Sequence, residues 1–164
     1  MTRRGTRLLC AAIGALALLP ATASAAIKTY GGTAEIGGAI ALDVKLNKKG
    51  VAKRIVEIRA SQLPGTCEIS GPGIPLNTRI PTDLEVSKKG KFQFEYTDEY
   101  GNRSHIEGKF SGRKDKRASG TFLYANHFPA EGEYPEEDCT TDESDFTVKK
   151  GGPDVPPPSA AARR

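Results

Sequence analysis

The strict alternation of apolar and polar side chains in short runs constrains this chain more than any other feature. From Ile40 to Leu46, the residues Ile40, Leu42, Val44 and Leu46 occupy one phase and Ala41, Asp43 and Lys45 the other. That is the period of a half-buried strand, not of a helix. Asn47-Lys48-Lys49-Gly50 follows as a turn, and the chain resumes from Val51 to Ala60. There Val56, Ile58 and Ala60 share one phase while Val51 and Ile55 fall on the other, so a bulge is predicted near Lys53-Arg54. The two runs predict a hairpin.

The same grammar recurs further along. A run ending in Leu84 and Val86 leads into Ser87-Lys88-Lys89-Gly90, after which Phe92, Phe94 and Tyr96 alternate with Lys91, Gln93 and Glu95, a second predicted hairpin. Beyond the turn Asp98-Glu99-Tyr100-Gly101-Asn102, Ser104, Ile106, Gly108 and Phe110 alternate with His105, Glu107 and Lys109. The basic turn Gly112 to Arg117 then leads to Ala118, Gly120, Phe122 and Tyr124, completing a predicted four-stranded meander. A last strand over Ser144 to Lys149 and a first near Thr29 to Ala34 bring the number to about eight. With 18 Gly and 11 Pro and no helical period after the first 25 residues, the expected class is all-β. The expected architecture is an antiparallel β-sandwich, with a small barrel as the alternative. Ten of the eleven aromatic residues lie between Phe92 and Phe146. Most of the core is therefore expected from the C-terminal meander, covered by the N-terminal hairpin.

Residues 1–25 have the order of a secretory signal peptide. Arg3, Arg4 and Arg7 form a basic start, Leu8 to Leu19 an apolar stretch, and Ala23-Ser24-Ala25 a small-residue cleavage site. The apolar stretch is shorter than the roughly 20 residues a membrane span needs, so the mature protein is expected from Ala26 onward, secreted or extracytoplasmic, with no membrane attachment. Cys10 stands at the start of the apolar stretch, not after it, and follows Leu8-Leu9, which argues against lipidation. Without the three signal arginines, 24 basic side chains become 21 against 20 acidic ones. Residues 26–149 therefore carry little net field, and no nucleic-acid partner is expected.

Cys67 and Cys139 are the cysteines left in this export route, and one intramolecular disulfide is expected between them. They sit in the two longest predicted connections, Ser61 to Ile80 and Asn126 to Glu143, which the disulfide would join at one end. A single antiparallel β domain is expected over 26–149. After it comes a disordered tail over 150–164, rich in Gly, Pro and Ala, whose composition gives a core nothing to bury.

No catalytic, nucleotide or metal motif stands out, and no cofactor is expected. The densest cluster of polar groups is Glu131, Glu133, Glu136, Glu137, Asp138, Asp142, Glu143 and Asp145, a stretch without Lys or Arg. Its default reading is a solvated acidic loop facing the basic turns at Lys48, Lys49, Lys88 and Lys89. Ligand or Ca²⁺ binding is the sharper reading, although the spacing is not that of an EF-hand loop. The Lys-Lys-Gly turns read as turn chemistry first and as a surface for an anionic polymer second. Of the two histidines, His127 is the candidate acid-base group, with Glu131 or Asp138 as its partner, whereas His105 lies on a polar strand face. Exposed Tyr100 or Tyr134 is a candidate for stacking against a sugar. Gly31-Gly32, Gly37-Gly38 and Gly71-Pro72-Gly73 are predicted turns. Asn102-Arg103-Ser104 matches the glycosylation sequon.

The order of features resembles small secreted all-β domains common in actinobacterial and related genomes, mostly of unknown function. The matching pieces are Cys67 in a loop, Lys89-Gly90-Lys91-Phe92 at a turn, Ile106-Glu107-Gly108-Lys109-Phe110-Ser111, Ala118-Ser119-Gly120-Thr121-Phe122, and Cys139 before the last strand. The resemblance covers roughly residues 30 to 149 and implies fold and export, with no catalytic residues attached. The function expected on all these grounds is a secreted, monomeric, non-catalytic β module that binds a cell-envelope polymer or an extracellular protein. The alternative is a small secreted hydrolase that uses His127 with a carboxylate of the acidic loop.

Overall fold

A computed structural model describes residues 25–133 and 135–155, and over that span the chain forms strands and turns without a helix. The strands are β1 (Ile27–Ala34), β2 (Ala39–Leu46), β3 (Ala52–Cys67), β4 (Gly71–Glu85), β5 (Lys91–Thr97), β6 (Arg103–Ser111), β7 (Arg117–Phe128), β8 (Glu137–Thr140) and β9 (Ser144–Lys150). They pair antiparallel in the order β4-β3-β2-β1-β9-β7-β6-β5, while β8 lies off that path and pairs with both β3 and β7. The result is the all-β, sandwich-type fold that the alternation predicts, with nine strands because the segment after Asn126 contains β8. Residues 1–24 of the expected signal peptide and residues 156–164 of the expected tail lie outside the described residues.

The first hairpin forms as predicted, with one added irregularity. Asn47 closes its turn through both backbone and side chain: Gly50 N donates to Asn47 O at 2.8 Å, and Lys49 N and Val51 N donate to Asn47 Oδ1. Gly50 takes the left-handed backbone this three-residue loop requires, at φ 78°. The register slips at Lys53, as predicted, and again at Val56. The second bulge reverses the expected phase, so that Ile55 is fully buried and Val56 is only half-buried. The inward pairs become Ile40–Ala60, Leu42–Ile58, Val44–Ile55 and Leu46–Ala52, all buried.

Two predicted features change. The stretch Ser61 to Ile80 is no loose connection but the outer half of the β3–β4 ribbon, with Leu63 facing Leu76 and Pro64 facing Pro75. Its prolines do not prevent pairing, because Pro72, Pro75 and Pro81 lie on β4, an edge strand with one side unbonded, where proline is tolerated. The second hairpin also dissolves. Ser87–Gly90 forms the same kind of turn, but β4 pairs with β3 and β5 with β6, so the turn carries the chain from one half of the sandwich to the other. The meander has three strands, β5-β6-β7, not four.

The core is more aliphatic and more N-terminal than the aromatic positions suggested. Tyr30, Ile40, Leu42, Val44, Ile55, Ile58, Leu63 and Leu76 are buried to 1% exposure or less, beside Ile106, Phe122 and Val148. Tyr96, Tyr100 and Phe128 remain on the surface. Gly31-Gly32 is not a turn but an interior part of β1.

That placement has a purpose at the C-terminus. Composition predicted disorder from Lys150 onward, but residues 150–155 fold back over the outer face of the sheet. Gly151 N donates to Thr29 O and Gly152 N to Lys149 O. The Pro153 carbonyl sits where a Cβ on Gly31 would be, so only glycine admits this strap. Asp154 pairs with Arg59 at 2.9 Å, the Val155 carbonyl accepts from Arg59 Nη1, and the Val155 side chain is 1% exposed. Arg59 is itself 7% exposed and held by Asp43 and Glu57. Ala41, opposite Gly31 on that outer face, is fully buried.

Candidate functional site

Cys67 ends β3 and Cys139 lies in β8, directly opposite each other in the antiparallel ladder, and their sulfurs are bonded. The two predicted connections therefore do meet at one end, here called the disulfide end. The tip of the β3–β4 ribbon, Glu68 to Ser70, is fastened there a second time. The Glu137 carboxylate accepts from Ser70 N at 3.0 Å, Ser70 Oγ at 2.7 Å and Ile69 N at 3.3 Å. These donors, the Ser70 backbone first, hold the Glu137 carboxyl below its ordinary range.

His127 comes next to this tie. It lies near the end of β7, opposite Asp138 of β8, and its Nδ1 is 2.9 Å from Asp138 Oδ1. Its Nε2 is 3.6 Å from Glu136 Oε1, so carboxylates engage both ring nitrogens. Asp138 is thus the partner, and among the described residues Glu131 makes no hydrogen bond or ion pair with the ring. The His127 backbone is fixed by Asn102, whose Oδ1 accepts from His127 N at 2.8 Å while its Nδ2 donates to Asp98. The sequon asparagine is therefore a structural bracket between the β5–β6 turn and β7. His105 stands 3.3 Å from Glu95 on the outer face of β5 and β6, well apart from this arrangement.

An open cleft of about 520 Å³ runs beside His127, lined by Thr66, Glu68, Arg103, Ala125, Asp138 and Thr140 among others. Arg103 and Glu68 are members that sequence reading missed. Strand parity could have found Arg103, since it pairs with Ala125 on the outward face of β6 and β7. The cleft offers charge and hydroxyls, and among the described residues none of those hydroxyls is hydrogen-bonded to His127. The Cys67 and Cys139 sulfurs are spent in the disulfide, and the Thr140 hydroxyl donates to backbone carbonyls.

The acidic stretch does not converge on a cation site. Glu136 and Asp138 face His127, Glu137 turns to the ribbon tip, and Asp142, Glu143 and Asp145 follow beyond β8. Among the described residues one group of three metal-ligand atoms lies close together, Cys67, Glu137 and Cys139, and its sulfurs are bonded to each other. The acidic stretch does not face the Lys-Lys turns either, because strand direction places these at opposite ends of the fold.

Among the described residues, four of the five large apolar side chains that stay exposed lie at the disulfide end: Ile69 (60%), Tyr96 (39%), Tyr100 (64%) and Phe128 (41%). Phe128 pairs with Glu137, which holds the backbone of Ile69, and Gly101, next to Tyr100, packs against the His127 side chain. Tyr134 lies outside the described residues. Comparison with known proteins finds no protein family, curated protein or solved structure that matches this chain.

Proposed function

We propose that this chain is an extracellular, non-catalytic binding module whose disulfide end docks a partner protein. The observation that carries the reading is the placement of Ile69, Tyr96, Tyr100 and Phe128 at one end of a fold whose other described large apolar groups are, Ile27 apart, buried or half-buried. Glu68, Glu131, Glu133 and Glu136 are exposed in the turns of the same end, so the fitting partner presents a basic, apolar surface. The disulfide, Glu137 and Asn102 hold the ribbon tip, β8 and the β5–β6 turn together before any partner arrives, which lowers the ordering cost of binding.

The hydrolase alternative rests on the His127–Asp138 pair alone. A general base needs one ring nitrogen free to face a nucleophile, and here Glu136 and Asp138 flank both. The two readings part in one experiment. The immobilised mature protein is exposed to solubilised envelope and secreted proteins, as wild type, as Ile69→Asp with Tyr100→Asp, and as His127→Ala. A saturable protein partner retained by wild type and His127→Ala but lost by the double variant supports the module. Turnover of an ester, amide or glycoside panel that disappears in His127→Ala establishes the hydrolase in its place.

A further inference from the structure

Strand direction sorts the turns of this fold by charge. The turns at the disulfide end span residues 35–38, 68–70, 98–102 and 129–136, and each contains at least one Asp or Glu and no Lys or Arg. Those at the opposite end span 47–50, 87–90 and 112–116, and each contains at least two basic side chains, with Asp115 the one acid among them. The segregation runs through the whole molecule, so it is not a property of one loop.

The three basic turns form one continuous surface. Gly50 lies against the Lys114 side chain, Ala52 N donates to Asp115 Oδ2 at 2.9 Å, and Phe110 N donates to Gly90 O at 2.9 Å. Asp115 thus turns inward to the backbone, and it leaves the outward field to its neighbours. Lys150 N donates to Lys116 O, which brings the Lys149-Lys150 pair to the same place. Lys48, Lys49, Lys88, Lys89, Arg113 and Lys114 are all exposed, and among the described residues none of the six makes an ion pair.

We propose that this end binds a linear anionic polysaccharide bearing phosphate or sulfate groups. Six uncompensated cations on adjoining turns are a counterion-releasing surface for closely spaced anions. The three turns carry no exposed large apolar side chain, and Ile27, exposed beside them at the start of β1, is a single residue and too little to anchor a lipid surface; no exposed aromatic is present on these turns to stack on bases. The secretory signal read in residues 1–25 places the encounter outside the cytoplasm. The proposal does not depend on the disulfide end, whose partner would be held at the far side of the same molecule.

The test measures affinity of the mature protein for dextran sulfate, a phosphorylated glycan polymer, neutral dextran, duplex DNA and vesicles of phosphatidylglycerol, each from low to physiological salt. The expected result is binding to the two anionic glycans with a log Kd against log salt slope of about 4, the value for roughly six neutralised anions. Lys48→Glu with Lys88→Glu and Lys114→Glu, one in each turn, should raise Kd on the order of a hundredfold. Arg103→Glu, a single charge reversal of the same kind at the disulfide end, should leave it unchanged. Binding to neutral dextran as tight as to the anionic glycans, indifference to the triple substitution, or an equal loss with Arg103→Glu would overturn the proposal. Tighter binding of DNA or vesicles at the same salt would overturn the choice of polymer. Loss of the protein partner at the disulfide end would leave these glycan results as they are.

Discussion

The docked strap over residues 150–155 supplies the sharpest test of how this fold is held. Val155→Asp puts a charge where a side chain is 1% exposed. Full burial of a valine is worth ~2 kcal/mol, but a displaced strap recovers chain entropy, so the net cost is capped at about 1 to 2 kcal/mol. The Asp154–Arg59 pair adds little to that, because the Asp154 side chain is 65% exposed. Arg59 keeps Asp43 and Glu57 when the strap leaves, so no buried charge is orphaned. For a domain of this size the drop in Tm is roughly 4–8 °C.

The cap makes a stronger statement than the magnitude. Three unrelated perturbations should reach the same limit: Val155→Asp, a chain ended at Lys150, and Gly31→Ala, whose new Cβ collides with the Pro153 carbonyl. In the chain ended at Lys150, Gly31→Ala has no strap to displace and should become neutral, a coupling that a double-mutant cycle by urea denaturation reads directly. The reasoning fails if the chain ended at Lys150 is as stable as the full mature chain, or if the three changes add. Either result would return residues 150–155 to the plain tail that their composition implies.

Other consequences can be checked with the same material. Replacing Cys67 and Cys139 together by Ser opens a bridge spanning 72 positions and should cost about 4 kcal/mol in the chain-entropy treatment, measured by urea denaturation with the slope fitted separately for each form, since the unbridged unfolded chain is less compact. Glu137→Gln should leave the global Tm nearly unchanged but speed hydrogen exchange at the Ile69 and Ser70 amides. Because the folded Glu137 carboxyl titrates below its ordinary range, its hold on the tip is complete above the unfolded carboxylate range and fades as pH falls through the depressed value. Tyr30 titrates in the opposite sense: burial first, then Asp115, push its phenol up to about 12. Its contribution is therefore whole below the unfolded value near 10 and is lost between there and about 12, so phenolate absorbance and unfolding should appear together in that window.

Local periodicity made much of this legible, and long-range partnership did not. The Asn47–Gly50, Ser87–Gly90 and Asp98–Gly101 turns could be read because their chemistry is contained within five residues. The disulfide was legible because two cysteines allow one pairing. The second bulge at Val56 was not, since only the facing Asp43–Val44 step of β2 reveals which of two adjacent apolar residues turns inward. β8 is too short to show a period, and its identity comes from the two strands it bridges. The strap reads as disorder because its hold depends on an absent side chain at Gly31 and on Arg59, far away in sequence. At the site, His127 and Asp138 could be singled out by residue type, whereas Ile69, Arg103 and Asn102 acquire their roles only from where the strands end.

The charge polarity of the molecule shows most clearly how a misread element hides a functional feature. In an antiparallel chain each turn lies at the end opposite the one before it, so the sign of a turn's charge can be sorted once every reversal is counted. Treating Ser61 to Ile80 as an unpaired connection leaves one reversal uncounted, and the run ending at Val86 could then travel in either direction. Ser87-Lys88-Lys89-Gly90 would in that case have no assigned end, and the acidic stretch could be imagined facing it. The β3–β4 ribbon, turning at Glu68 to Ser70, removes the ambiguity: it puts the Lys88–Lys89 turn at the same end as Lys48–Lys49, and the acidic stretch at the other. Opposite charges that could have neutralised one another across a loop are instead separated by the length of the strands, about 25 Å for seven or eight residues. At physiological salt that distance exceeds the screening length roughly threefold, so each end presents its own sign to its surroundings although the net charge of residues 26–149 is near zero. A near-neutral composition therefore excludes a strong field around the whole molecule, but it says nothing against two strong and opposite fields at its ends.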